Sequence, residues 1–459
     1  MSTPSFNNQQ EAEQQLDSFD LNDRMAALEW LSKQGIARAE NSPERINMHF
    51  HSFFSYNSMG YSPCRIAWGA HCEGLYATAL CDFDVLDGME EYFDACELLG
   101  IRAAMHVETR LFIPEYADAV MNSPGEPGAA YYMGAGFVRM PAEGSSQAKG
   151  AGRLRQLAQD RNIALVDRIN AKLPQIAIDY DQEVVPLSPG RCPTERHIVQ
   201  AYRVKAEQTL GAPAELHEFW AKILGKTTDE VAKLVADVPS MEGDIRAALV
   251  KSGGIGYEQP TEKSFPTVEE FIQWVLDCRA IPMYAWLDGT NNGEADIRAL
   301  LECVQAKGSC ALNIIPDRNH RIDDPDVRAK KLEKLEEVVR VAGEMHLPIN
   351  IGTEMNKLGQ PFSDDTGCEA LRPYYEPFMR GARIMIGHTL LSRFADFPYV
   401  GQKAEAEFGG DTPAKNDAFE SIGALPPLTR AIAKRLQDMG PTKAHTTLRD
   451  SAAKGAWTV

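Results

Sequence analysis

Two stretches of this 459-residue chain alternate short apolar segments with amphipathic ones. In the first stretch, expected strands over 45–51, 75–81 and 101–107 are separated by expected helices over 63–74 and 87–99. Strands that alternate with helices pair in parallel, because each helix returns the chain to the same edge of the sheet. The pattern therefore predicts an α/β fold with a parallel sheet or barrel, whose ligand sites lie at the C-terminal ends of the strands.

The alternation is interrupted in the middle of the chain and then resumes. The middle part is rich in Ala, Lys, Glu, Arg and Leu, with helical periodicity and few β-branched runs, which predicts a helical insertion. Within it we expect helices over 150–172, 194–209, 213–225 and 227–251. After it we expect helices over 267–278, 293–307, 326–345 and 368–380, and strands over 281–287, 309–315, 347–352 and 382–387.

These patterns divide the chain into an N-terminal preface, an interrupted barrel and a C-terminal extension. The preface has an apolar helical stripe, and the extension is rich in Ala, Lys and Asp. The expected parts are a helical preface (1–44), barrel segments (45–140 and 256–400) on either side of the insertion (141–255), and an extension (401–459) with one helix over 427–438.

Composition limits the classes of function. The formal net charge of −18 argues against binding duplex nucleic acid, because that requires a basic surface to neutralise phosphates. The nine cysteines are scattered and never form a C-x-x-C pair, which argues against a disulfide framework. No apolar run approaches the roughly 20 residues of a membrane span, and the polar N-terminus lacks a signal-peptide pattern. We expect a cytoplasmic protein with a small-molecule substrate; its oligomeric state is left open.

Polar side chains end the three expected strands of the first stretch. His49 and His51 are one residue apart near the end of the first strand, and residues i and i+2 of a strand point to the same side. Both imidazoles can therefore reach one metal ion. Asp82 and Asp84 follow the second strand, and Glu108 ends the third. An acid that ends an apolar strand is costly unless it is paired or coordinated, which makes Glu108 a candidate ligand.

The order of these residues resembles the PHP family, named for polymerase and histidinol phosphatase domains. The resemblance covers roughly residues 45–138 and 256–390. It implies a distorted (β/α)7 TIM-like barrel with an inserted helical subdomain, one to three divalent metals and phosphoester hydrolysis. The family's His-x-His, Thr-Asp-His-Asp, Gly-x-Glu and Gly-Ser-Asp-x-His motifs are matched by His49-Phe50-His51, Cys81-Asp82-Phe83-Asp84, His106-Val107-Glu108 and Gly352-Thr353-Glu354-Met355-Asn356.

The chain also departs from the family pattern in a systematic way. Phe83 stands where the second motif has a metal-binding histidine, Tyr56 where the family often has an acid, and Asn356 where the last motif has a histidine. The resemblance therefore implies a reduced site with one divalent ion per chain. Two imidazoles and two carboxylates suit Zn²⁺, Mn²⁺ or Fe²⁺. The expected metal ligands are His49, His51, Glu108 and Glu354.

Further residues are candidates for proton transfer, each with a structural alternative. Asp82 and Asp84 either orient the ligands or cap the following helix. His197 lies in a segment similar to one with which some PHP phosphoesterases contact phosphate, or it lies on the first turn of a helix capped by Thr194. His388 ends an expected strand, where it completes the metal sphere, acts as general acid or base, or is a satisfied core histidine. The expected catalytic residues are His388, Asp84 and His197.

Residues at or just after expected strand ends are candidates for substrate binding. Arginine suits bidentate recognition of phosphate or carboxylate, and loop residues at the top of a barrel are frequently functional. For the charged residues the alternative is a surface salt bridge. The expected substrate-binding residues are Arg110, Arg318, Asn319, Lys357 and Trp286.

The first functional hypothesis is a metal-dependent hydrolase, specifically a phosphoesterase acting on a small phosphorylated or otherwise anionic substrate through water activated by the metal. The second is a lyase, isomerase or epimerase that uses a single ion to polarise a sugar or keto acid, with polar groups such as Asp288 and Asp317 binding hydroxyls. The third is a non-catalytic protein that binds a ligand at the same end of the barrel. The retention of four compatible ligands argues against the third hypothesis.

Overall fold

The computed structural model describes residues 6–261 and 263–459. Seven strands form one sheet in chain order, and the sheet curves until its edges nearly meet. A parallel bridge joins Phe50 to Glu354, and His51 N–H donates to Glu354 O at 2.9 Å. The strands are β1 (Ile46–Phe50), β2 (Ala77–Phe83), β3 (Arg102–Phe112), β4 (Ala129–Ala135), β5 (Ile281–Trp286), β6 (Ala311–Ile314) and β7 (Ile349–Ile351).

The strand directions explain why the barrel is distorted. Strands β1 to β3 are parallel, as are β5 to β7, whereas β4 is antiparallel to both of its neighbours. The C-terminal ends of the parallel strands therefore meet at one end of the barrel, where β4 contributes its first residues. Tyr131 of β4 lies opposite Arg110 of β3. The predicted α/β fold, a distorted TIM-like barrel with helical additions, is confirmed.

Helices surround the barrel and start or end at the residues that chain chemistry favours. Ser62 caps α3 by accepting a hydrogen bond from Arg65 N–H, and Gly100 ends α4 in the left-handed conformation. The helices are α1 (Gln9–Gln15), α2 (Leu21–Ser32), α3 (Pro63–Cys72), α4 (Met89–Leu99), α5 (Ser146–Lys172), α6 (Glu195–Leu210), α7 (Pro213–Leu224), α8 (Thr228–Val235), α9 (Val238–Leu249), α10 (Val268–Asp277), α11 (Ile297–Ala306), α12 (Asp317–His320), α13 (Pro325–Glu344), α14 (Tyr375–Ala395), α15 (Gln402–Phe408), α16 (Thr412–Gly423), α17 (Arg430–Asp438) and α18 (Pro441–Lys454).

The strand predicted over 382–387 is wrong, because this segment belongs to α14. Nearly every residue of that helix from Phe378 to Ala395 is buried, so the polar face that marks a surface helix is absent. A short apolar run of this kind has no periodicity that separates a buried helix from a buried strand. The strand that completes the sheet is instead β4, which the sequence pattern did not predict.

The helices α5 to α9 form a second hydrophobic core, separate from the core around the barrel. Trp220 and Ile245 are among its buried residues. The single helix predicted over 227–251 is two helices, α8 and α9. Asp237 caps the second helix by accepting from Ser240 N–H, and Pro239 in its first turn lacks an amide hydrogen. The chain therefore turns between them.

The two ends of the chain are helical and pack on the barrel. The preface forms α1 and α2, and Arg24 of α2 forms a buried ion pair with Glu91 of α4. The extension contains α15 to α18, of which only α17 was predicted. Among the described residues no helix is long and apolar enough to cross a membrane.

Candidate metal centre and cleft

Four buried side chains meet at the C-terminal end of the barrel. His49 lies in β1, His51 directly follows it, Glu108 lies in β3 and Glu354 follows β7. One ligand atom from each lies within 4.8 Å of the others. The curvature of the sheet brings them together, because β7 reaches β1 only across the closing edge of the barrel. A side chain at Gly352 would collide with Asn47 and His49, so glycine permits this approach.

Three atoms of this cluster face one another without a hydrogen-bond partner among the described residues. Oε2 of Glu108 lies 3.4 Å from Nε2 of His49 and 3.3 Å from Nε2 of His51. Buried polar atoms are almost always satisfied, so three orphaned atoms that converge need an explanation. A cation between them would satisfy all three.

The separations fit a divalent ion. Two ligands that each lie about 2.0–2.1 Å from a tetrahedral ion are separated by ~3.3–3.4 Å, which matches the observed spacing. Two imidazoles and a carboxylate are ligands that suit Zn²⁺, Mn²⁺ or Fe²⁺. The residues present therefore fit the expected metal.

The local charges keep the acids ionised. Burial alone would raise the pKa of Glu108, but His49 and His51 lower it to about 2. Burial alone would lower the pKa of His49, yet Glu108 raises it. For Glu354 the effect of burial is outweighed by Arg318, which lowers its pKa. Arg318 Nη2 donates to Glu354 Oε2 at 2.6 Å.

A chain of hydrogen bonds orients His51. Ser55 Oγ donates to Asp82 Oδ1 at 2.6 Å and lies 3.3 Å from Nδ1 of His51. Because the hydroxyl hydrogen is directed to the carboxylate, the hydroxyl oxygen accepts from Nδ1–H of the imidazole. Nε2 then presents its lone pair to the cluster, which is the form that binds a metal. Asp82 thus acts on His51 through Ser55.

Phe83 packs against the same imidazole. Its ring stacks on that of His51 with centroids 4.4 Å apart and planes inclined by 16°. This apolar ring covers one face of the His51 imidazole and supplies no ligand.

The backbone is strained beside the cluster, including at two carboxylate residues. Asp84 has φ of 61° and Glu354 has φ of 66°, values that residues with a side chain rarely adopt. Asp84 N–H donates to Glu108 O at 2.9 Å, and Glu354 N–H donates to His49 O at 2.8 Å. These bonds hold both carboxylates at the end of the barrel, and such strain is concentrated at functional sites.

The cluster forms part of the floor of a cleft of about 770 Å³, which is the size of a small-molecule site. One wall comes from the barrel and the other from α5, α6 and the segments around them. Glu108, Glu354, Asp84 and Trp286 line it, and Nε1 of the buried Trp286 has no partner among the described residues.

Cationic side chains line the cleft although the whole chain is acidic. Arg110 is paired with Glu126 at 2.7 Å, and Arg161 lies 3.9 Å from Asp84. Arg196 has no acidic partner within 4 Å among the described residues and lies over the ring of Tyr56. The cations of the lining are Arg110, Arg161, Arg168, Arg196, Arg246, Lys251, Lys263 and Arg318.

The helical insertion supplies several of these cations, and the sequence reasoning missed them. Arg161 lies on α5, and Arg196 lies on the first turn of α6, beside the predicted residue His197. Burial lowers the pKa of Arg161 to about 10. Helical periodicity alone does not reveal which face of an inserted helix turns toward the barrel.

The structure does not bring all predicted catalytic residues into the cleft. His388 lies on α14, where Nε2 contacts Gly136 O at 2.9 Å and Nδ1 accepts from Tyr399 N–H at 3.0 Å. Nδ1 of His197 accepts from Thr194 N–H at 3.0 Å and closes the cap of α6. His388 is therefore a hydrogen-bonded core histidine and His197 is part of a helix cap, and neither lines the cleft.

The predicted substrate-binding residues also divide into two groups. Arg110, Arg318 and Trp286 line the cleft. Asn319 is buried and donates to Leu287 O at 3.2 Å and Ile315 O at 3.1 Å, so it joins two loops. Lys357 is exposed and does not line the cleft.

No protein-family model and no curated protein matches the sequence. Among solved structures, a candidate metal-dependent phosphoesterase from Bifidobacterium adolescentis is 17% identical, with a TM-score of 0.48, over 74% of this chain and 98% of the other. An amidohydrolase from Chromobacterium violaceum, with bound sulfate and no metal, is 16% identical, with a TM-score of 0.48, over 72% and 95% of the two chains. At this level of similarity neither protein assigns an activity to this one.

Proposed function

We propose that this protein is a metal-dependent hydrolase of small anionic substrates, most specifically a phosphoesterase with a reduced PHP-like site. The observation that carries the proposal is the convergence of three orphaned ligand atoms, from His49, His51 and Glu108, where Glu108 lines a cleft rich in cationic side chains. Glu354 is a fourth ligand candidate.

A bound divalent cation would activate water and polarise the scissile group. The protein's own residues prepare the site for it. Ser55 and Asp82 fix the orientation of His51, and Phe83 excludes water from one face of that imidazole. Arg318 keeps Glu354 ionised.

The cleft cations would bind the anionic group of the substrate. Arg196 is the strongest candidate among them, since it has no acidic partner within 4 Å among the described residues, is partly buried and lies over the ring of Tyr56. Burial of an unpaired guanidinium is costly, so an incoming anion gains more there than at a fully solvated arginine. Arg110 and Arg161, which flank the ring of Phe265, lie further along the same cleft.

Asp84 is placed to hold or donate a proton. It lines the cleft, and Thr109 Oγ1 donates to its Oδ1 at 2.6 Å. Burial raises its pKa, which is the shift that lets a carboxyl group carry a proton closer to neutral pH. We assign it the role of general acid for the leaving group.

The test uses protein stripped with a chelator and reloaded with Mn²⁺, Zn²⁺ or Fe²⁺. The reloaded wild type is expected to release phosphate from members of a panel of small phosphomonoesters, whereas the Glu108→Gln variant is expected to be inactive. No release by the wild type with any of the ions, or equal rates in the variant, would overturn the phosphoesterase assignment.

A matched pair on α6 tests anion recognition. Arg196→Gln removes the cleft cation, and Arg203→Gln removes a cation that is paired with Glu242 outside the cleft. Loss of a charged hydrogen bond of about 1.5–3 kcal/mol predicts a roughly 10–100-fold rise in KM for Arg196→Gln. KM is expected to stay unchanged for Arg203→Gln.

A single-ion lyase, isomerase or epimerase is the second candidate, because Phe83 occupies the position from which the family pattern supplies a further metal ligand. The loss of this ligand argues against a mechanism in which two ions hold the attacking and leaving oxygens. Turnover in ¹⁸O-labelled water separates the two candidates, since only hydrolysis places solvent oxygen in the released group.

A further inference from the structure

A second group of ligand-type side chains lies beside the cleft and not in it. Asp317 and His320 are three residues apart on α12, so their side chains share one face of that turn. Asp364 approaches from the loop that follows β7. One donor atom from each of the three lies within 4.8 Å of the others, and none of them lines the cleft.

Asp364 is buried in a way that a lone carboxylate does not tolerate. Only 2% of the residue is exposed, and neither carboxylate oxygen has a hydrogen-bond partner among the described residues. The loop holds it in place, because Phe362 O accepts from Asn47 Nδ2 at 2.8 Å and Thr366 Oγ1 donates to Glu44 O at 3.2 Å. A buried anion without partners costs several kcal/mol, a cost that a bound cation would offset.

The neighbouring cationic groups do not supply that compensation. His320 Nε2 lies 3.7 Å from Asp364 Oδ1, too far for a hydrogen bond, and it has no partner of its own. Arg321 lies 3.1 Å from Asp317 Oδ1 without hydrogen-bond geometry, and half of its side chain is exposed. Each of the three cluster residues thus has at least one potential metal-ligating atom without a hydrogen-bond partner among the described residues.

We propose that Asp317, His320 and Asp364 bind a second divalent cation of the Zn²⁺ or Mn²⁺ class. Two carboxylates and one imidazole are ligands that both ions accept, and the two negative charges neutralise one dication. The partial exposure of Asp317 and His320 leaves a route for the ion and a place for water to complete its coordination.

The position of the site gives the ion a structural role. It joins α12 to the loop after β7, and Arg318 of α12 reaches back to Glu354 at 2.6 Å. The ion therefore holds α12 in place. This helix carries Arg318, which keeps the cleft carboxylate of Glu354 ionised. The three ligands do not line the cleft, and the second site does not depend on the activity proposed above.

Metal stoichiometry tests the proposal. Full-length protein is stripped with a chelator, reloaded with Zn²⁺, desalted and assayed for zinc per chain by elemental analysis. Asp364→Asn and His320→Gln are each expected to hold one ion fewer than the wild type. Asp365→Asn is the matched control, because Asp365 is the exposed neighbour of Asp364, and it is expected to hold as many ions as the wild type.

The difference between variant and wild type does not depend on whether the cleft binds metal. Far-UV circular dichroism checks that each variant is folded, and His320→Gln, at a partly exposed position, decides the matter if Asp364→Asn does not fold. In a His51→Ala background, Zn²⁺ is expected to raise the thermal midpoint, and addition of Asp364→Asn is expected to abolish the rise. Equal zinc content in the wild type, Asp364→Asn and His320→Gln would overturn the proposal, as would loss of two ions per chain in both variants.

Discussion

The candidate metal centre and the contact between α14 and the turn after β4 both contain fully buried histidines, but they differ in what surrounds the rings. In the candidate metal centre, the Nε2 atoms of His49 and His51 have no partner among the described residues. Beneath α14, both nitrogens of His388 contact backbone groups. Burial is the same in the two regions. Only the unsatisfied pair indicates a site for a ligand, because the other ring already makes the hydrogen bonds it can make.

The two regions also have opposite effects on the stability of the protein without a bound ion. Packing and hydrogen bonds around His388 stabilise the fold, whereas the converging lone pairs in the cleft destabilise the empty protein until a cation arrives. We therefore expect substitutions in the cleft to affect metal binding and activity, and substitutions beneath α14 to affect stability.

The largest effect is expected for His51→Ala. Loss of this ligand removes the cleft ion, and an ion that contributes several kcal/mol of transition-state stabilisation corresponds to a roughly 10³-fold or greater loss of activity. The zinc content is expected to fall by one ion per chain. His71→Ala, in a half-buried histidine of α3, serves as the control, and equal losses in both variants would contradict the distinction between the regions.

The second effect is expected for His388→Ala, and it concerns stability. The substitution opens a cavity and leaves Gly136 O and Tyr399 N–H without their partner, which predicts a loss of about 3 kcal/mol in the free energy of unfolding. Urea denaturation measures it, and elemental analysis checks that the metal content is unchanged. A variant of normal stability that lacks the cleft ion would show that His388 belongs to the site.

The third effect is a pH dependence with a definite sign. Burial lowers the pKa of His388 to about 4, below the unfolded value of 6.5. Between pH 4 and pH 6.5 the unfolded chain binds more protons at His388 than the folded protein does. The contribution of the neutral His388 to the free energy of unfolding is therefore greatest above pH 6.5 and is lost as the pH falls. From pH 6.5 to 5 the loss is about 2 kcal/mol at 1.36 kcal/mol per pKa unit. Denaturation at each pH is expected to show a shallower decline for His388→Gln, and parallel profiles would contradict the assignment.

The smallest effect is expected for Ser55→Ala. The hydroxyl fixes the tautomer of His51 through its contact with Asp82, and loss of such outer contacts typically weakens metal binding about 10-fold or more. Titration calorimetry with Zn²⁺ measures the change, and Ser58→Ala in the same loop is the control. An unchanged affinity in Ser55→Ala would show that the tautomer is set by other groups.

The strand ends were predictable from the sequence, since polar residues that follow short apolar runs identified His49, His51 and Glu108. Glu354, which lies more than 240 residues from Glu108 in the chain, was instead predicted from the resemblance of its segment to a family motif. The helical structure of the segment that precedes His388 was not predictable. An apolar run from Ala382 to Gly387 suits a buried helix as well as a strand, and only the packing of α14 against the barrel decides between them.

The cleft cations that the helical insertion supplies were the least predictable part. Arg161 and Arg196 lie on helices whose orientation depends on how the insertion packs, and nothing in their local sequence separates them from arginines on the solvated faces of the same helices. Likewise, no pattern connects Asp364 to Asp317, because their proximity follows from the path of the loop after β7 and not from spacing along the chain.

The separate hydrophobic core of α5 to α9 has a consequence for how this protein can change. The four candidate metal ligands belong to the barrel, whereas much of the cleft wall belongs to a unit with its own packing. Mutations that remodel this wall therefore need not disturb the candidate metal centre. Selectivity can diverge while chemistry is inherited, and an exchanged insertion would be a direct route to new substrates.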